Sequence, residues 1–267
     1  MSAKALLRSI IPFGVRATLV RTAAYPRWRS ERRRFTSTRA DAARFPVLLS
    51  EHQTPLCRGE KHRGTRIQLG KERNIALAAR LITGHLLQPG EEFSYHAAVG
   101  WPTVLRGFRK GLELQGGEMS EGVGGGCCSV SNLLLLIALR AGLDITERNR
   151  HNLDFFPDHG RTVPFGCGAT VHFPRRDLRF RNPYDEPVLV QLLVEDGHLV
   201  GRILAAHPLE TTIEVEERDH EFAKVDEGWE RRNEIWRITR DAAGEILKEE
   251  LVFKNQGRCL YDPENPD

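Results

Sequence analysis

No stretch of this 267-residue sequence reaches the eighteen consecutive apolar residues that a membrane-spanning helix needs. The leucine-rich run over 130–139 is about ten residues long and carries Asn132, which makes it a core helix rather than a span. No Cys-x-x-Cys pair occurs among the five cysteines, and an odd number without framework spacing argues against a disulfide scaffold and for a reducing compartment. The glycine-rich stretch "GVGGGCCS" lacks the lysine of a phosphate loop. Dinucleotide fingerprints, helix-turn-helix signals and interleaved basic-aromatic faces are also missing, so nucleic acid is not an expected partner.

What is present begins with charge. The net +3 conceals a division: residues 1–45 hold eleven Lys or Arg against Glu31 and Asp41, and the rest carries 28 basic against 34 acidic residues. A basic arm on a mildly acidic body is the result, free to meet an anionic membrane surface or a partner. In the arm, Arg8, Pro12, Gly14 and Arg16 interrupt any apolar core of a secretion signal, which leads to an expected cytoplasmic location, peripheral to the membrane if the arm attaches there. As a structure, the arm reads as a solvated basic tail.

The body reads as α+β. In "NIALAARLITGHLLQPGEEFSY", Ile75, Ala78, Ala79, Ile82 and Leu86 recur at helical spacing, with Asn74 as the expected cap and Pro89-Gly90 as the stop. A second main helix follows the glycine run and ends at Gly142. "GLELQGGEMSEG" suggests two short strands about a glycine turn, and "LDITERNRH" a strand ending at His151. Downstream, "GATVHF" and "DLRFRN" are strand candidates, and "VLVQLLVEDGHLVGRILA" is a hairpin about Asp196-Gly197. "EIWRITRDAAGEILKEELVFK" repeats that logic about Gly244. The expected architecture is two main helices in the N-terminal half on a largely antiparallel sheet, with hairpins in the C-terminal half. Its divisions are a basic arm over 1–45, an α+β domain over 46–210 and a β-hairpin extension over 211–267.

The functional question centres on Cys127 and Cys128, which the glycine run delivers to a helix start. The positive end of the helix dipole there favours thiolate. With a histidine, His151, on a following strand and a carboxylate such as Asp177 to orient it, Cys128 would have what a thiol hydrolase or acyltransferase needs. In a binding module, by contrast, Gly124, Gly125 and Gly126 would let a ligand approach backbone N–H groups, while Cys128 and His151 hold the junction. A metal centre drawn from Cys127, Cys128, His151, Cys167 and His172 is disfavoured, because adjacent cysteines cannot easily both face one tetrahedral ion. No metal and no cofactor is expected.

Four pieces, "LAARLITGHLLQPGEEFSY", "GGGCCSVSNLL", "AGLDITERNRH" and "GATVHFPRRDLRFRN", resemble the VanW family in order and spacing across about residues 70–205. By that resemblance Cys128 takes the family's cysteine position, Ser131 its serine, and Glu147 and His151 its Glu-Arg-x-x-His. Ser131 and Glu147 are thereby implied to be binding residues. Two departures stand out: Ser129 replaces the usual Gln, and Gly168 the Asp common before Ala-Thr-Val. The resemblance implies an accessory protein of peptidoglycan metabolism or glycopeptide resistance, working as a binding or scaffold module. It also implies a peptidoglycan-derived peptide or a cell-wall enzyme as partner. The alternative it leaves open is a Cys-dependent hydrolase or acyltransferase acting on a peptidoglycan peptide.

Overall fold

The structure, a computed structural model, describes residues 13–57, 64–115, 118–150, 153–154, 163–226 and 228–265. It is a mixed α+β fold with antiparallel sheets predominating. The helices are α1 (Phe13–Glu31), α2 (Arg66–Ile82), α3 (Tyr95–Val99) and α4 (Cys127–Arg140). The strands are β1 (Val47–Pro55), β2 (His85–Leu87), β3 (Glu92–Ser94), β4 (Lys110–Gln115), β5 (Glu118–Val123), β6 (Asp144–Glu147) and β7 (Leu153–Asp154). After them come β8 (Arg179–Arg181), β9 (Val188–Glu195), β10 (His198–Ala205), β11 (Thr212–Val225), β12 (Gly228–Arg240) and β13 (Ile246–Cys259). The sheets run β1-β10-β9-β2, β11-β12-β13-β7, β3-β8-β6 and β4-β5. Every pairing is antiparallel except that of β7 with β13.

From Leu133 to Leu139 helix α4 is apolar all round because it is buried all round. Leu134, Leu135, Ile137, Ala138 and Leu139 are fully enclosed between β1, β10, β6, β11 and α2. Gly201 on β10 gives it room, since a Cβ there would sit 3.0 Å from both Ile137 and Leu133. The Asp196-Gly197 turn has positive φ at both positions (47° and 73°), the geometry a tight β9-β10 hairpin demands. Strand β9 is buried on both faces: Val188, Val190 and Leu192 enter the main core, and Leu189 joins Phe45, Leu86 and Leu204 on the other side.

Four expectations change. Helix α2 begins at Arg66 rather than near Asn74, capped by the Thr65 hydroxyl, and it ends at Ile82, before Gly84 (φ 87°) turns the chain into β2. Asn74 sits inside the helix and is wholly buried, with a role described below. "GATVHF" forms no strand; its regular pairing is the isolated His172–Arg176 bridge, and the segment runs extended against α4 instead. In place of the solvated tail expected of the arm, residues Phe13–Glu31 form α1, and the segment after it docks on the body. Phe35, Thr36 and Phe45 are buried, Thr36 donates its hydroxyl to Leu86 O at 2.7 Å, and Arg39 donates to Thr83 O and Leu81 O. The expected strand up to His151 stops at Glu147, and His151 lies outside the described residues. At the other end, Ile235 of β12 belongs to the main core, and buried Arg237 donates to Leu143 O at 2.8 Å while pairing with Glu250 at 2.6 Å.

Candidate functional site

The glycine run brings three backbones into contact. A Cβ on Gly125 would lie 2.2 Å from Gly111 O, and one on Gly111 would lie 2.7 Å from Gly125 O and 2.9 Å from Lys71 N. Only glycine permits so close an approach of the α4 entry loop, β4 and α2. Gly126 takes φ 100° and serves as the N-cap of α4 without a side-chain acceptor. Asn74 locks the junction: its amide donates to Arg109 O (2.8 Å) and Gly125 O (2.9 Å), and its carbonyl accepts from Arg109 N (2.8 Å). The close approach that the glycines allow is therefore made by the chain's own backbone.

Along the first turns of α4, three polar side chains grip one extended segment. The Cys128 thiol donates to Val171 O at 3.8 Å, the Ser131 hydroxyl donates to Ala169 O at 2.6 Å, and the Asn132 carbonyl accepts from Ala169 N at 2.7 Å. Residues 128, 131 and 132 share one helical face by their spacing. The segment thus gains backbone partners that a neighbouring strand would otherwise supply. Gly168 lies at the start of this segment, and a Cβ built on it would fall 3.1 Å from Asn132 Oδ1.

Both adjacent thiols are held in the protonated form. Burial pushes Cys127 up to about 12, against a weaker opposing effect of its hydrogen bond with Tyr95, and it raises Cys128 as well. Burial outweighs the helix dipole here. Tyr95, itself fully enclosed, also donates to Cys127 O at 3.5 Å. Arg21 of α1 reaches over this region and donates to His172 Nε2 at 3.1 Å, which leaves the neutral His172 ring its proton on Nδ1. Burial first, then the nearby Arg21 and Arg176 charges, lowers the His172 pKa and keeps the ring neutral.

The carboxylates belong to a second network. Asp177 is 2% exposed and accepts from Ser94 Oγ (2.5 Å), His96 N (2.9 Å), Leu178 N (2.9 Å) and Arg179 Nε (3.0 Å). Glu147 accepts from Asp177 N at 3.0 Å and pairs with Arg179 at 3.2 Å. Together they fix the start of α3 against β8. His96 is buried within the same network; its Nε2 donates to Arg176 O at 2.8 Å, and its Nδ1 has no hydrogen-bond partner among the described residues. Burial lowers its pKa against the pull of Asp177. Arg148 of the Glu-Arg pair donates to Gly168 O at 3.0 Å and to Gly166 O, and lies 3.9 Å from the Phe253 ring centre. Burial lowers its pKa to about 10.

Cys128, Ser131 and the glycines are thus gathered in one junction, while Asp177 and Glu147 share the neighbouring network. Asn74, read in the sequence as a helix cap, and Asn132 and Arg148, which were given no role there, all act on backbone groups distant in the chain. Among the described residues, no three His, Cys, Asp or Glu side chains converge as metal ligands.

The model of the family described as "VanW like protein" matches residues 70–204, about half of the chain and the part that contains both networks. The chain belongs to the VanW family. Relatives of this VanW member include "Vancomycin B-type resistance protein VanW" of Enterococcus faecalis (strain ATCC 700802 / V583), 26% identical over 225 residues, covering 84% of this chain and 82% of that protein. "Uncharacterized protein YoaR" of Bacillus subtilis (strain 168) is 37% identical over 133 residues, which are 49% of this chain and 41% of the relative. This chain therefore spans less than half of the Bacillus relative's length. No solved structure matches.

Proposed function

We propose that this VanW-family chain is a non-catalytic accessory module of peptidoglycan metabolism or glycopeptide resistance, which binds a peptidoglycan-derived peptide or a cell-wall enzyme. The process is suggested by the Enterococcus relative, whose name ties it to vancomycin resistance. The observation that carries the non-catalytic reading is the grip on residues 169–171: the Cys128 thiol is protonated, half-buried and committed to the Val171 carbonyl. A nucleophile needs a thiolate with access to substrate and a base beside it. Asp177, the carboxylate that would orient such a base, already has four partners of its own.

The test uses a synthetic peptide ending in D-alanyl-D-alanine. Binding is measured by calorimetry for the full chain and for Cys128→Ser and Cys128→Ala, normalised to folded protein, and peptide cleavage or transfer is followed by mass spectrometry. The proposal expects binding retained by both variants and no new product. Turnover that vanishes in Cys128→Ser would replace it with the Cys-dependent hydrolase or acyltransferase.

A further inference from the structure

Outside the Cys128 junction, the described residues form a cleft whose arginines have no carboxylate partner among them. It lies between α1 and the loop after α3, with a volume of about 550 Å³ and walls that include Tyr25, Trp28 and Trp101. Two arginines line it, Arg32 from the turn just after α1 and Arg106 from the facing loop. Arg32 sits 5.3 Å from the Trp28 ring centre, and Arg106 donates to Trp101 O at 2.8 Å. The Arg106 guanidinium packs so closely over Gly100 that a Cβ there would fall 2.7 Å from it. Among the described residues, neither arginine pairs with a carboxylate. The nearest acid in sequence, Glu31, is taken by Arg27 at 2.7 Å. Two cations of one sign set in an aromatic-walled cleft call for an anion.

A second observation says what carries that anion. The turn that presents Arg106 also presents Val104 and Leu105, which are 58% and 100% exposed. A fully exposed leucine on a loop tip, next to a cleft lined by tryptophan and tyrosine and near a helix and following turn that expose Arg29, Arg33 and Arg34, has the composition of a bilayer interface. A soluble anion would explain the arginines and leave the apolar tip without a role. We infer that this cleft receives the phosphate headgroup of an anionic lipid between Arg32 and Arg106, with Leu105 entering the acyl region. The inference does not depend on how the Cys128 junction is read.

The test measures the affinity of the full chain for phosphatidylcholine vesicles with and without phosphatidylglycerol. Variants are Arg32→Gln, Arg106→Gln, Leu105→Ser and, as a charge-matched control on the exposed face of α2, Arg80→Gln. Thermal melts confirm that each is folded. Binding should require phosphatidylglycerol and weaken with salt, and it should fall about fivefold for each cleft arginine. Leu105→Ser should weaken it as well, and Arg80→Gln should leave it unchanged. Equal losses for Arg80→Gln and Arg106→Gln would reduce the effect to net charge and overturn the site. Failure to bind phosphatidylglycerol vesicles, or equal affinity for soluble glycerol 3-phosphate, would overturn the lipid assignment.

Discussion

The α4 entry and the α1 cleft handle polar groups in opposite ways. At the α4 entry, cysteine, serine and asparagine side chains and an unusual number of glycines are all used by the chain itself, on residues 111, 125 and 169–171. At the cleft, Arg32 and Arg106 have no carboxylate partner among the described residues and stand among aromatic rings beside an exposed leucine. The contrast teaches that a conspicuous motif is not by itself a site. What marks a surface for a partner is bonding capacity left over after the fold has been satisfied.

The sharpest way to break this comparison is to remove the arm in two places. Cutting after Glu31 removes α1 with its edge-on contact between Trp28 and Phe173 (5.0 Å) and the Arg21–His172 bond. That should cost under about 2 kcal/mol while abolishing the cleft. Cutting after Phe45 also removes buried Phe35, Thr36 and Phe45 and uncovers Leu86, Leu189 and Leu204, for a loss of about 4 to 6 kcal/mol. Urea denaturation of the two truncations measures the difference. Equal stability would mean that the docked segment carries no weight.

Next in size is Gly125→Ala. Its Cβ would meet the Gly111 carbonyl oxygen and carbon, 2.2 and 2.3 Å away, and backbone cannot yield as a side chain can. A loss of about 3 kcal/mol is expected. Gly197→Ala provides the contrast: nothing lies near its Cβ, so only the strain of φ 73° should appear, about 1 kcal/mol. If Gly125→Ala were as mild as Gly197→Ala, the three-backbone junction would be looser than described.

Ser131→Ala should come lower, at about 1 to 2 kcal/mol, because it leaves the Ala169 carbonyl without its hydroxyl donor in a buried setting. Asn132→Ala acts on the N–H of the same residue. A double-mutant cycle should therefore show coupling, with the pair losing less than the sum. Additive losses would show that the two side chains do not hold one segment in common.

How much of this could be read in advance depends on how local each cause is. The α4 run, the Asp196-Gly197 turn and the β12-β13 hairpin were legible because neighbours in sequence decide them. Asn74 was not: it looks like a helix cap, yet its partners are Arg109 and Gly125, 35 and 51 residues away. The "GATVHF" segment has strand composition, but a helix face satisfies it in place of a strand. The arm's charge was plain, whereas its anchoring depends on Phe45 meeting a surface made by β2, β9 and β10 and on Phe35 lying under Arg179 of β8. In the candidate site, the cysteine at the helix start was placed correctly. Its protonation was not legible, since burial by distant elements overrides the dipole that the sequence reveals.

That protonation has a consequence for stability against pH. Cys127 rises from an ordinary 9.0 to about 12 on folding. Below about pH 9 the thiol is protonated in both states and contributes its full share. Above that the unfolded chain releases the proton and the folded one retains it, so stability falls as pH rises, by up to about 1.4 kcal/mol per pH unit from this group, until the folded thiol also ionises. Comparing the full chain with Cys127→Ala isolates the contribution of the thiol together with its hydrogen-bonded neighbour Tyr95, because the tyrosines and lysines elsewhere titrate alike in both. The variant should lose stability about 1 kcal/mol less steeply per unit between about pH 9 and about pH 10. Parallel slopes would mean that Cys127 ionises as readily in the folded protein as in the unfolded chain. The helix start would then hold an ordinary thiol that burial does not keep protonated, and the contrast between a closed junction and an open cleft would fail at its most chemical point.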